Sequence, residues 1–202
     1  MPKVPQSDHL PFEMEQERSY TCIPTNIAAI LHSAGITEAT DPSDGVQPIS
    51  GEFVKELYFQ VTISFDALEK SELFPTPSKP GKLSDFHGCR IHAEGGFGSF
   101  GKWWTAVYEH ISQGSYVVLS ISAPAPHAVT VYEIDGDSVK VYNPDRNGAR
   151  SYLMSQLERM WLTPVGQARG GAPRLNHDIL VVRIPNRSAM VSVGLEEGVP
   201  ST

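Results

Sequence analysis

Apolar residues recur at helical spacing early in the chain and in alternating or continuous runs late in it. From Cys22 to Ala34 (CIPTNIAAILHSA), Ile23, Ile27, Ile30 and Leu31 fall near one helical face. Pro24 suits the first turn and Gly35 ends the helix. The Pro, Asp, Ser and Gly content of residues 36–50 predicts a loop. Short helices are expected over Gly51 to Phe59 and over Ser64 to Leu73, the second with Ser64 as N-cap, and FPTPSKPG then breaks the chain. Residues 81–99 are glycine-rich and show no clear period; CRIHAE within them makes a poor strand. Phe100 to Gln113 reads as a helix ended by Gly114, SYVVLSIS (115–122) as a buried strand, Met154 to Trp161 as a short helix and HDILVVRI (177–184) as a last strand.

Between these lies the best hairpin in the sequence, His127 to Ile134 with Ser138 to Asn143. A two-residue loop at Asp135-Gly136 would mix its faces. A three-residue loop, Asp135-Gly136-Asp137, pairs Ile134 with Ser138 and sorts them. Val129 then lies across from Asn143 and Val131 across from Val141, with Glu133 opposite Val139 as the one misfit. The other face carries Thr130, Tyr132, Lys140 and Tyr142. This register makes His127 and Asn143 diagonal neighbours on one face, within side-chain reach, and places Asp145 opposite His127.

A long helix early and strands late predict an α+β fold with a helical half and an antiparallel sheet half. Residues 1–15 read as a lead-in, 16–184 as one domain and 185–202 as a loosely held tail, without internal repeats.

Composition narrows the function. With 202 residues, 40% hydrophobic and 19% charged, the chain is a globular domain rather than a disordered acidic segment. No apolar run approaches the ~20 residues of a membrane span, and the first residues hold no secretory signal pattern. The expected location is therefore the cytoplasm, or outside it by a signal-independent route. A net charge of −7 argues against nucleic acid as the main partner and suits a neutral or basic polypeptide. Two cysteines, Cys22 and Cys89, exclude both a disulfide scaffold and a four-cysteine zinc site.

The chemistry concentrates on Cys22. It opens a helix, where unpaired N–H groups and the dipole favour a thiolate and are expected to lower the thiol pKa. Gln16, six positions upstream, offers an amide donor for an oxyanion, together with the cysteine's own N–H. His127, with an amide partner in Asn143, is oriented as a base acting on a thiol must be.

These residues resemble those of the papain-like cysteine peptidases, most nearly the bacteriocin-processing double-glycine branch. In that branch a Gln stands six before the Cys and an Asp-Pro sixteen after the His; here Gln16 precedes Cys22 by six, and Asn143-Pro144 follows His127 by sixteen. Papain itself has Asn in this role. The resemblance spans roughly Gln16 to Gly148. It implies a helical half carrying Cys22 packed on a sheet half carrying His127 and Asn143, with the cleft between them. Cys22 would attack a carbonyl carbon, His127 would take and return the proton, Asn143 would orient His127, and Gln16 would hold the oxyanion. Asp145 is the alternative orienting residue. Tyr20, Thr21, Ile23, Phe97 and Trp103 are candidates for the cleft. No cofactor and no metal is implied, and the substrate is a polypeptide. The family usually has Gly directly after the Cys, where this chain has Ile23. Deamidation, acyl transfer by an exported effector, or an inactive binding module are alternatives on the same fold.

Two other signals carry less. Gly96-Phe97-Gly98-Ser99-Phe100-Gly101 matches G-x-G-x-x-G, but the sequence shows neither a preceding core strand nor a parallel βαβ pattern. His87, Cys89 and His92 lie close together without the further ligands that would complete a zinc site.

Overall fold

The computed structural model describes residues 4–5, 14–15, 21–41, 45–58, 90–121, 127–146, 148–162 and 178–184. The helix expected over 64–73, Cys89, most of the lead-in and the tail lie outside them. In chain order the elements are β1 (Val4–Pro5), α1 (Cys22–Ser33), β2 (Glu38–Asp41), β3 (Gly45–Pro48), α2 (Gly51–Tyr58), β4 (Arg90–Glu94), α3 (Phe100–Ser112), β5 (Tyr116–Ile121), β6 (His127–Asp135), β7 (Ser138–Asn143), a 3-10 turn (Pro144–Arg146), β8 (Gly148–Leu153), α4 (Met154–Leu162) and β9 (Ile179–Arg183).

The centre is a seven-stranded sheet in the order β4-β9-β5-β6-β7-β8, with β1 pairing onto β6, and every pairing in it is antiparallel. In β5 (YVVLSI) and β9 (ILVVR) almost every position is buried, so helices must cover both faces of the sheet. α1 lies on one face, where Ile27, Ile30 and Leu31 pack with Val118, Ala128, Tyr142, Leu180 and Val182. α3 and α4 lie on the other, where Trp103, Val107, Ile111 and Leu157 pack with Val117, Val129, Val131, Val141 and Val181. Each fully buried aliphatic side chain contributes about 1.5–3 kcal/mol. This is the α+β architecture expected, with the Cys22 helix packed on the sheet.

α1 is apolar almost all round because α2 covers it from outside. The two helices touch closely at Gly51, where a Cβ would fall 2.4 Å from Thr25 Oγ1 and 3.3 Å from the Thr25 backbone. Gly51→Ala must push α2 off the Cys22 helix. It should cost about 1–3 kcal/mol in denaturant unfolding, and a variant as stable as the parent would refute this close approach.

Four expectations need correction. Residues 38–48, read as loop, form the β2–β3 hairpin; both strands are polar and carry no apolar alternation that a pattern could register. β8 (GARSYL) is an outer strand of mixed polarity that the sequence reading missed. CRIHAE, judged a poor strand, contains β4. Its partner β9 lies far along the chain, and its alternation is real: Ile91 and Ala93 join the α1-side core. β4 and β5 are both antiparallel to β9 between them, so they run parallel to each other and α3 is the crossover. The glycine motif thus does follow a strand, but local needs account for it. A Cβ on Gly95 would fall 2.1 Å from Asp178 Oδ1, Gly96 turns at φ +73°, and Ser99 caps α3 by accepting the Lys102 N–H.

The fourth correction concerns the hairpin. Asp135 pairs with Ser138 across a two-residue loop, Gly136-Asp137, with Gly136 at φ +58°. A bulge between Val131 and Glu133 then absorbs one residue of β6. Beyond it, Thr130 faces Tyr142 and Val131 faces Val141, the register expected from a longer loop. The bulge also removes the misfit: Glu133 lies across from Lys140 and pairs with it at 2.9 Å, while Ile134 joins the core on the α3 side.

Candidate active site

Cys22 is the first residue of α1, partly exposed and with a free thiol. Its N-cap residue, Thr21, is fully buried and makes no side-chain cap. Pro24 has no N–H and the Thr25 N–H bonds the Thr21 carbonyl at 2.9 Å, so the first-turn donors beside the sulfur are those of Cys22 and Ile23. The thiol lies against the backbone of Ala128 on β6 as well as that of Ile23 and Cys22 itself, and these hydrogen bonds favour the thiolate. Burial is the larger effect and pushes the thiol above its ordinary pKa; the Asp145 carboxylate adds to the rise. The expected low-pKa thiolate is thus overturned, because desolvation outweighs the helix start.

His127 begins β6 and Asn143 ends β7, so both stand at the same end of the sheet. Their side chains meet at 2.7 Å, His127 Nε2 to Asn143 Oδ1, as the register predicted. Oδ1 also accepts the backbone N–H of Asp145 at 3.0 Å, which fixes the amide with its oxygen toward the histidine. An oxygen acceptor requires the proton on His127 Nε2. Nδ1 is then the nitrogen with a free lone pair, the form a general base needs. Asp145 reaches Asn143 through its backbone, while its carboxylate acts on Cys22 through space.

Asn26, which sequence reasoning missed, ties the two halves together. It is fully buried, one turn beyond Cys22. Its Nδ2 donates to Cys22 O at 2.7 Å and to Ala128 O at 2.9 Å, and its Oδ1 accepts the Thr130 hydroxyl at 2.6 Å. One side chain thus links the residue bearing the thiol to the strand residue that follows His127. The signal was present as an asparagine inside an apolar helical run, where a buried amide must find partners.

The remaining candidates separate. Gln16 and Tyr20 lie outside the described residues. The chain is fastened nearby, at Met14, whose carbonyl accepts the Tyr142 hydroxyl; burial, with Glu15 close by, pushes that hydroxyl far above its ordinary pKa, so it stays a donor. Ile23 is buried in the α1-side core rather than lining an opening. Trp103 is 1% exposed and belongs to the core on the opposite face, with Phe97 half-buried against that core.

No protein-family model and no curated protein matches the chain. Among solved structures it is similar to a chain from Bacillus anthracis described as a C39-like peptidase, with a TM-score of 0.53 and 16% identity over 91% of this chain and 98% of that one. A prointerpain A fragment from Prevotella intermedia aligns over 90% of this chain and 70% of its own at 12% identity, but its TM-score of 0.36 carries no argument. The chain shares the fold of that Bacillus anthracis structure. Among the described residues no helix is long and apolar enough to cross a membrane.

Asp145 gives a test with opposite signs. Burial and Asp145 both raise the Cys22 pKa, so alkylation by iodoacetamide should climb with pH through the ordinary thiol range near ~8.5 instead of levelling at neutrality. Asp145→Asn removes a negative charge, lowers that pKa and should speed alkylation at pH 7.5. Slower alkylation would instead make Asp145 the residue that orients His127.

Proposed function

We propose that the chain is a cysteine-nucleophile hydrolase that cleaves a peptide or isopeptide bond in a polypeptide substrate. The observation that carries this reading is the His127–Asn143 hydrogen bond, with the Cys22 thiol beside the backbone of the next residue, Ala128. The fold shared with the Bacillus anthracis C39-like peptidase supports it. In this mechanism the resting thiol is neutral, since burial disfavours the thiolate. His127 Nδ1 takes the thiol proton as sulfur attacks the carbonyl carbon, so charge forms only as the bond forms. The proton then passes to the leaving amine, and water releases the acyl group by the same route in reverse. Asn143 holds the ring and its tautomer throughout. The Cys22 N–H is assigned as one donor to the developing oxyanion, and Gln16 as the other. The six-residue Gln16–Cys22 spacing and the sixteen-residue His127–Asn143 spacing support a reading nearest the double-glycine branch, with Asn143 standing where that branch has Asp.

A second reading, a binding module on the same fold, draws on the raised thiol pKa. Covalent labelling separates the two. A peptidyl vinyl sulfone should modify Cys22 at neutral pH, and His127→Ala should slow it steeply. Labelling that is absent, or indifferent to His127, would favour the binding module.

A further inference from the structure

We propose that His92, Glu94 and His110 form a binding site for a divalent transition metal of the zinc class. His92 and Glu94 are two apart on β4, so the pleat sends both to one face, opposite Ile91 and Ala93. That face meets α3, whose last turn carries His110. Glu94 Oε1 receives His92 Nε2 at 2.9 Å and His110 Nε2 at 2.7 Å, and the imidazole rings meet edge to face at 5.6 Å. All three donor atoms lie within 4.8 Å of one another.

Two imidazole nitrogens and one carboxylate oxygen are the protein ligands of an open zinc site, with a fourth position left for water. Bonds of about 2.0–2.1 Å put such ligand atoms roughly 3.3 Å apart, so the carboxylate–imidazole separations of 2.9 and 2.7 Å have to widen a little, while the two imidazole nitrogens already lie within 4.8 Å of each other. One side of the cluster is open to solvent: the side chains of His92, Glu94 and His110 are 43%, 33% and 16% exposed. Binding requires each neutral imidazole to carry its proton on Nδ1 instead of Nε2. The buried His110 Nδ1 has no hydrogen-bond partner among the described residues in either tautomer, so the exchange breaks no bond there.

The site lies on a different strand from His127. Among the described residues β4 is an outer strand of the sheet, paired with β9, and β9 and β5 lie between it and β6. An ion here would fasten that strand to α3 across the glycine segment 95–99. Its role is to stabilise the fold rather than to take part in the thiol chemistry.

The test uses zinc chloride on the full chain carrying Cys22→Ala, which removes the reactive thiol as a competing ligand. Calorimetry should show one equivalent of zinc bound, and saturation should raise the melting temperature by about 5 °C. Cobalt in place of zinc should give the visible bands of a four- or five-coordinate ion. Glu94→Gln, which preserves shape, and His110→Gln should each lose the binding and the shift, whereas Cys89→Ser should retain both. Melting in EDTA checks that the variants fold. The proposal fails if zinc does not bind, if binding survives Glu94→Gln in a folded variant, or if Cys89→Ser abolishes it.

Discussion

Cys22→Ala is expected to leave a folded protein whose hydrolysis of a fluorogenic peptide library falls at least about 10³-fold, to the level of the buffer. The side chain is small and only partly buried, so stability should change by less than about 1 kcal/mol. His127→Ala should fall almost as far, since a neutral thiol without its base is a poor nucleophile. The double variant should be no worse than either single one. Residues that act as one unit fail together, whereas independent contributions would multiply. Retained activity in Cys22→Ala would sink the mechanism, and a multiplicative double variant would separate His127 from the thiol. Folding is checked independently by circular dichroism, so loss of structure cannot pass for loss of chemistry.

Asn26→Ala should give the largest loss of stability among single changes near the site, about 3 kcal/mol. The substitution removes three hydrogen bonds and leaves the Ala128 carbonyl and the Thr130 hydroxyl buried without their partner. For a chain of this size that is a fall of roughly 6–12 °C in melting temperature. Measured well below the transition, Cys22 labelling should also slow by about tenfold, because the helix start is no longer held against β6. Asn26→Asp should be no rescue, since one carboxylate oxygen would then face two carbonyl oxygens. Unchanged stability in Asn26→Ala, within about 0.5 kcal/mol, would show that the three bonds contribute nothing net.

Much of this was legible in the sequence where the pattern is local. The 3.6-residue spacing of Ile23, Ile27, Ile30 and Leu31 located α1, a continuous apolar run located β5, and two-residue alternation located β6 and β7. The histidine–amide pair followed from hairpin register, although by a wrong route: the loop is shorter than expected and the bulge compensates. Glu133, the misfit of that register, was the clue to the bulge. What stayed illegible depends on distant partners. Arg90–Glu94 is a strand because Ile179–Arg183 lies beside it, and nothing in RIHAE announces so remote a neighbour. The sign of the Cys22 pKa shift was missed for a related reason. A helix N-terminus is visible in sequence, but the desolvation that outweighs it comes from the sheet packed over it. Asn26 was passed over because an amide in an apolar run states a need without naming its partners.

The position of β9 has a consequence for the order of assembly. This strand, from the far end of the domain, slots between β4 and β5, and the pairs on both its sides are the ones that join β4 to the rest of the sheet. During synthesis, β5, β6 and β7 can zip together as soon as they leave the ribosome, since they follow one another along the chain. β4 is made earlier yet has to wait, its apolar side exposed, until residues 179–183 emerge. Such long-range closure is slow compared with hairpin formation. The same residues complete the core beneath α1, through Leu180 and Val182, so closing the β4 edge and burying the thiol-bearing helix both wait on the last strand.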